Sequence, residues 1–352
     1  MARTRFSKLL DETGALAFVL RLRGRAASPW LTVLTYHRVA DPATAENVDA
    51  NVVDARPEHF EEQVAFLKRY CHLIGLDDVL AFRRGAPLPH NPVLLTFDDG
   101  YLDNYETVLP ILVRHGVPAV FFIATRFIEE RRLFWWDRVS YLVKHSRREA
   151  MTLTYPRAET LVLGTSRAER LAAARRAMVA IKSHFDLDLE RYLEELERAS
   201  DVTISREHER EMVDGLLMNW DQIRLLRKAG MSVQSHTRNH RVLYTLSEAG
   251  LRNELEGSKR DLEDVLGERI GAVAYPVGKA LNRAPHARNA IRAAGYELGF
   301  TNGTGTNPVW RFDPMDVRRL SLEVDVEPSY FRGMVALPYF AYEPHTMARN
   351  EW

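Results

Sequence analysis

The chain has 352 residues, enough for one large domain or two ordinary ones and for a full core that needs no staple. Apolar residues make up 46% and charged residues 27%, the balance of a soluble globular protein, and 48 basic residues offset 48 acidic ones, so no nucleic-acid partner is expected. The single cysteine, Cys71, excludes an internal disulfide and reads as a small core residue.

Near the start, Gly14–Leu20 is apolar but is bracketed closely by Asp11, Glu12, Arg21 and Arg23. It is too short to span a bilayer, and no small-residue cleavage site follows it. Residues 5–23 therefore predict an amphipathic helix that packs on the domain or rests on a membrane surface. Residues 1–29 are set apart on this ground from a single domain over 30–352. With no export signal evident, a cytoplasmic location, at or near the membrane, is expected.

Trp30–Tyr36 predicts a first strand, ending at His37-Arg38-Val39 and followed by a polar loop over 41–56. Pro57 opens a helix with Phe60, Val64, Phe66 and Leu67 at helical spacing. A short strand near 72–75 and a helix over 76–84 lead to Val93–Phe97, an apolar strand that ends in Asp98-Asp99-Gly100. A helix over 105–115, stopped by Gly116, and the strand Pro118–Ile123 complete a βαβ unit with a parallel sheet. From about 126 to 218 strand signals become sparse and long charged helices dominate, which predicts a helical insertion. It opens on Phe134-Trp135-Trp136-Asp137, whose tryptophans suit packing of the insert better than stacking on a sugar ring. The α/β pattern then resumes: helix 221–229, strand Met231–Gln234, helix 248–266, strand Ala272–Tyr275, helix 287–294 and strands over 296–301 and 318–323. Repeated β-then-α units fit either a barrel or an open parallel sheet.

Polar residues collect at the C-terminal ends of these strands, where ligand sites form in α/β folds. Taken alone, Asp98-Asp99 fits a solvated Asx turn as well as a cation site, since adjacent carboxylates repel unless a cation offsets them. His236 and His240 follow another strand, and a helical turn there would put both imidazoles on one face. Two imidazoles and one carboxylate form a three-ligand set with open positions, suited to zinc or a similar divalent ion. The other acid is left to take a proton from bound water, His37 at a third strand end is the best general acid, and the N–H of Val277 in Pro276-Val277-Gly278 is placed to receive an oxyanion.

Thr96-Phe97-Asp98-Asp99-Gly100-Tyr101, Ser235-His236-Thr237-Arg238-Asn239-His240 and Ala274-Tyr275-Pro276-Val277-Gly278 together resemble the polysaccharide deacetylases with a NodB-homology domain, carbohydrate esterase family 4. The resemblance covers roughly residues 31–323 apart from the insertion. It implies a distorted (β/α)7 barrel and metal-dependent removal of N-acetyl groups from a sugar or polysaccharide. By motif position Asp98 resembles the base, Asp99, His236 and His240 the metal ligands, and Val277 the backbone oxyanion donor. Tyr36-His37-Arg38-Val39 looks like the opening motif of a branch whose acid histidine comes from the first strand. Tyr36, Tyr101 and Tyr275 are expected to contact substrate. Zinc is the expected metal, with cobalt, nickel or iron as alternatives. Ala274 stands where the family often has an arginine that orients the base, so Arg318 or Arg319 would have to serve. Rival readings are an amide or imide hydrolase of small molecules on the same barrel, and a carbohydrate-binding relative without turnover.

Overall fold

Seven short segments become parallel strands, and several of them, such as Pro92–Phe97 and Val120–Ile123, are continuous apolar runs because both of their faces are covered. In the computed structural model, which describes residues 2–25, 29–45, 49, 52–324 and 326–338, these are Trp30–Tyr36, Pro92–Phe97, Val120–Ile123, Ser232–Ser235, Ala272–Ala274, Leu298–Thr304 and Val317–Ser321. Each pairs with the next, and Trp30–Tyr36 closes the ring by pairing with both Pro92–Phe97 and Val317–Ser321. The sheet is thus a closed seven-stranded barrel rather than an open one. His72–Ile74 flanks Pro92–Phe97 from outside the ring, and Asn307–Pro308 runs antiparallel to the start of the first strand.

Alternate strand residues divide between two apolar clusters. Leu31, Val33, Leu94, Phe122, Ala272 and Phe300 belong to the one that fills the barrel. Leu34, Leu95, Phe97, Phe121 and Val273 belong to the larger one shared with the surrounding helices. That packing leaves the C-terminal strand ends to carry the polar residues.

Several local expectations change. The single N-terminal helix over 5–23 is two helices, Ala2–Glu12 and Ala15–Arg23, broken at Gly14 with φ 74°. Leu16 and Leu20 are buried, and the Arg23 guanidinium donates to the carbonyls of Val335 and Ala336 in the last helix, Pro328–Ala336. The helix expected over 105–115 opens as a wide π turn, Asn104–Val108, ahead of Leu109–His115, because Pro110 has no N–H to return to the preceding turn. The polar loop over 41–56 contains a strand, Val53–Ala55, paired with Arg38–Val39. The insertion holds the helices Trp135–His145, Arg167–Ser183, Leu189–Ser200 and Arg206–Asp214 together with a hairpin, Ala150–Leu153 and Glu159–Val162, whose four-residue strands are too short for periodicity to reveal.

Candidate metal centre and active site

The strand Pro92–Phe97 delivers the acid pair into a sharp turn. The Asp98 N–H donates to the Tyr36 carbonyl (2.9 Å), which ties this strand end to the first strand. Asp99 takes a left-handed backbone, φ 77°, rare for a residue with a side chain. Gly100 follows at φ 97°, and a Cβ there would crowd Ile123 Cδ1 at 3.2 Å in a backbone conformation that side-chain-bearing residues rarely adopt.

The segment after Ser232–Ser235 is a bend, not the helical turn expected from the His-x3-His spacing. Left-handed backbone at Thr237 (φ 64°) and His240 (φ 51°) brings the two imidazoles together instead, with ring centroids 4.7 Å apart. His236 Nδ1 meets the Ala274 carbonyl at 2.9 Å, which leaves its Nε2 facing Asp99 Oδ1 at 3.4 Å. His240 Nε2 lies 3.4 Å from the same oxygen.

The donor set fits a divalent cation. Ligand bonds of about 2.0–2.1 Å in tetrahedral array put donor atoms about 3.4 Å apart, the separation of Asp99 Oδ1 from each imidazole. One atom from each of Asp99, His236 and His240 lies within 4.8 Å of the others, and all three residues are buried. Asp99 Oδ1 accepts no hydrogen bond although it is buried, an orphan that a cation would satisfy. Burial lowers the His240 pKa to about 3, which keeps it neutral, the form that ligates. Burial opposes the charge of Asp99, but His236 and His240 facing it hold its pKa below the usual carboxylate value.

Asp98 is fully buried beside this group, its Oδ2 3.8 Å from His236 Nε2. The residue that holds it is Arg319, from the last barrel strand. Nη1 donates to Asp98 Oδ1 at 2.8 Å and Nη2 to Oδ2 at 2.7 Å, a bidentate fork inside the barrel. The same guanidinium donates to the Thr301 carbonyl (3.1 Å), the Thr96 hydroxyl (3.3 Å) and Asn302 Oδ1 (2.5 Å). Burial works against the Asp98 charge, but Arg319 and then His236 outweigh it and hold its pKa below the carboxylate range. Arg319 therefore stands in for the arginine missing at Ala274, while Arg318 points away toward Asp316.

His37 is a quarter exposed. Its backbone N–H donates to Asp54 Oδ2 (2.5 Å), and its Nδ1 lies 3.0 Å from the same oxygen, so Nε2 is the nitrogen left for a ligand. Burial would lower its pKa, but Asp54, with Asp99 and Asp98 behind it, raises it to about 9. Asp103 receives Arg38 Nε (2.7 Å) and the Val39 N–H (3.0 Å), and the Asn104 amide donates to the His37 carbonyl (2.8 Å). Sequence reasoning missed Asp54, Asp103 and Asn104. The last two follow the acid pair by only a few residues, a proximity that was available as a signal.

Val277 sits in the turn Pro276–Gly278 with φ 61°, a strained backbone for a β-branched residue and the kind that collects at functional sites. The three tyrosines expected to contact substrate are buried, with their hydroxyls engaged inside the protein. Tyr36 donates its hydroxyl to Gln63 and stacks on Phe97, Tyr101 accepts from the Trp136 indole, and Tyr275 donates to the Met315 carbonyl. All three are at most 1% exposed and belong to the core.

Residues 85–299 match the family model described as polysaccharide deacetylase. The chain belongs to the polysaccharide deacetylase family. The matched residues include Asp98, Asp99, His236, His240 and Val277, while His37 and Arg319 lie outside them. Over 101 residues the chain is 35% identical to the poly-beta-1,6-N-acetyl-D-glucosamine N-deacetylase of Escherichia coli (strain K12), an alignment that spans 27% of this chain and only 14% of that protein. Among solved structures, the deacetylase PplD of Streptococcus pyogenes, in complex with acetate, superposes over 90% of this chain and all of its own, with TM-score 0.56 and 18% identity. IcaB from Ammonifex degensii covers 90% of this chain and 98% of its own, with TM-score 0.52 and 19% identity. At such identities these two likenesses speak for the barrel alone.

Proposed function

We propose that this member of the family is a metal-dependent hydrolase that removes N-acetyl groups from a sugar or polysaccharide, with zinc held by Asp99, His236 and His240. The observation that carries the reading is the juxtaposition of two carboxylates with opposite surroundings: Asp99 Oδ1 is orphaned between two imidazoles, and Asp98 is locked by Arg319. The relative in Escherichia coli is named for removing acetyl groups from poly-N-acetylglucosamine, which supports an acetylated glycan as substrate. When bound, the cation supplies polarisation of the amide carbonyl and a lowered water pKa. Asp98, fixed in orientation by the guanidinium, takes the proton of the attacking water. The Val277 N–H, free of any described backbone partner, receives charge that develops on the carbonyl oxygen. His37, kept protonated by Asp54, gives a proton from Nε2 to the departing amine.

Acetate release from N-acetylglucosamine oligomers tests the assignment. Asp98→Asn is expected to lower turnover by about 10²–10⁴-fold with metal still bound. Near-parent turnover in that variant, or release from cyclic amides but not from the oligomers, would overturn it.

We also infer a peripheral membrane contact through the two N-terminal helices. Phe6, Leu9, Phe18 and Leu22 are exposed on them while Leu16 and Leu20 dock inward, and Arg5, Lys8 and Arg21 are exposed on the same helices with Arg25 just beyond the second.

A further inference from the structure

The two histidines of the proposed centre are held differently. His236 is oriented by a hydrogen bond from Nδ1 to the Ala274 carbonyl (2.9 Å). His240 has no such tether, because its Nδ1 is buried without a hydrogen-bond partner. Its ring instead lies against Trp136, with centroids 4.4 Å apart, and Trp136 is backed on its other side by Phe134, stacked at 4.3 Å. The Trp135 indole N–H donates to the His240 carbonyl at 3.2 Å. Both tryptophans open the first long helix of the insertion, Trp135–His145.

The far end of the insertion grips the residues that directly follow Asp99. The Leu102 N–H donates to the Leu216 carbonyl (2.8 Å), and the Met218 N–H donates to the Gly100 carbonyl (3.1 Å), which builds a bridge across Tyr101 and Leu217 beside Asp99. Trp136 joins the two grips, since its indole N–H donates to the Tyr101 hydroxyl at 3.0 Å. Arg131 ties the ends of the insertion together through the Met218 carbonyl (2.6 Å) and Asp214 (2.8 Å).

These contacts fall where the backbone most needs support. Asp99 and His240 both take left-handed conformations that side-chain-bearing residues adopt only when their surroundings over-determine them. We propose that the helical insertion is a working part of the metal centre: through Trp135, Trp136 and Leu216–Met218 it fixes the spacing of Asp99 and His240. Trp135 and Trp136 are then positioning residues that touch neither cation nor substrate. The proposal rests on the metal reading given above. It makes the insertion a determinant of cation affinity as well as a wall of the fold.

Zinc affinity of the full chain, measured by competition with a chromophoric chelator, tests this independently of turnover, with cobalt absorption as a reporter of ligand geometry. Trp136→Ala is expected to weaken zinc binding by about 10–100-fold and to alter the cobalt spectrum, as outer contacts of metal ligands do elsewhere. Trp136→Phe keeps the ring face and loses the donor to Tyr101, so it should fall between Trp136→Ala and the parent. Trp310→Ala, at an exposed tryptophan beside the first strand's opposite end, should bind as the parent does. A folded Trp136→Ala protein, checked by circular dichroism and melting, that binds zinc within about twofold of the parent would overturn the proposal. If that variant does not fold, Trp135→Phe decides, since it removes the donor to the His240 carbonyl while keeping an aromatic ring in place: weaker binding supports the proposal and unchanged binding overturns it. A parent that binds no divalent cation would instead sink the metal reading itself.

Discussion

Asp98 is held by a guanidinium 221 residues away in sequence, and both groups are wholly inside the barrel. A buried charge pair of this kind is costly to break, because the surviving charge is left without a partner. Arg319→Ala is therefore expected to lower stability by about 3–5 kcal/mol in urea unfolding, whereas Arg319→Lys keeps a charge but not the fork, and should fold with reduced turnover. At His37 the prediction concerns pH. Its pKa is raised from 6.5 to about 9, so as an acid it serves below that value and fails as pH rises through it. The stability its ionic contact contributes has the same sign: fully present below pH 6.5 and lost as pH rises through about 9. Asp54→Asn removes the largest favourable cause of that shift. The basic limb of the kcat/KM profile should then move to lower pH, and an unmoved limb would exclude His37 as the acid.

At the scale of elements, the turns matter more than the strands. Gly278 has φ 73°, and a Cβ there would stand 2.3 Å from Asn302 Cβ and 2.6 Å from its backbone nitrogen. Asn302 in turn accepts from the Arg319 guanidinium, so the proposed oxyanion turn and the Asp98 clamp lean on one side chain. Gly278→Ala is expected to lower kcat by about 10²–10³-fold with a modest change in KM, as loss of one oxyanion donor does, which steady-state kinetics would read directly. Strands such as Val93–Phe97 and Val120–Ile123 were legible in the sequence because they are short continuous apolar runs. The turns were not. His236 and His240 carry helical spacing yet converge through left-handed backbone at Thr237 and His240, a conformation that local residue preference does not favour and tertiary contacts impose. The tyrosines beside the motifs suggested substrate contact by proximity alone, and their burial follows from partners distant in sequence, Gln63, Trp136 and Met315.

For the whole molecule, the sequence identified the metal-ligating candidates because each sits beside an apolar run that ends abruptly. It left Arg319 as one of two candidates, since choosing between neighbours on a strand requires knowing which face meets the barrel axis. The N-terminal helices raise a question at the same scale. Phe6, Leu9, Phe18 and Leu22 remain exposed while their helices are anchored through Leu16, Leu20 and the Arg23 contacts to the last helix. Sedimentation with vesicles rich in anionic lipid is expected to carry the chain down, and Phe18→Glu with Leu22→Glu should abolish that without loss of fold. Binding unchanged by the double variant would remove the helices from the contact.

The ring closes between its first and last strands, Trp30–Tyr36 and Val317–Ser321. His37 leaves one of them and Arg319 sits on the other, whereas Asp99, His236 and His240 follow strands further into the chain. On the proposed reading, the acid and the arginine that orients the base are thereby lodged at the join of the first and last strands, and the base and the cation ligands in the body between. Loosening the join is then expected to silence turnover while leaving cation binding in place. A segment cut to the matched residues, 85–299, would keep all three ligands and lack both the acid and the arginine.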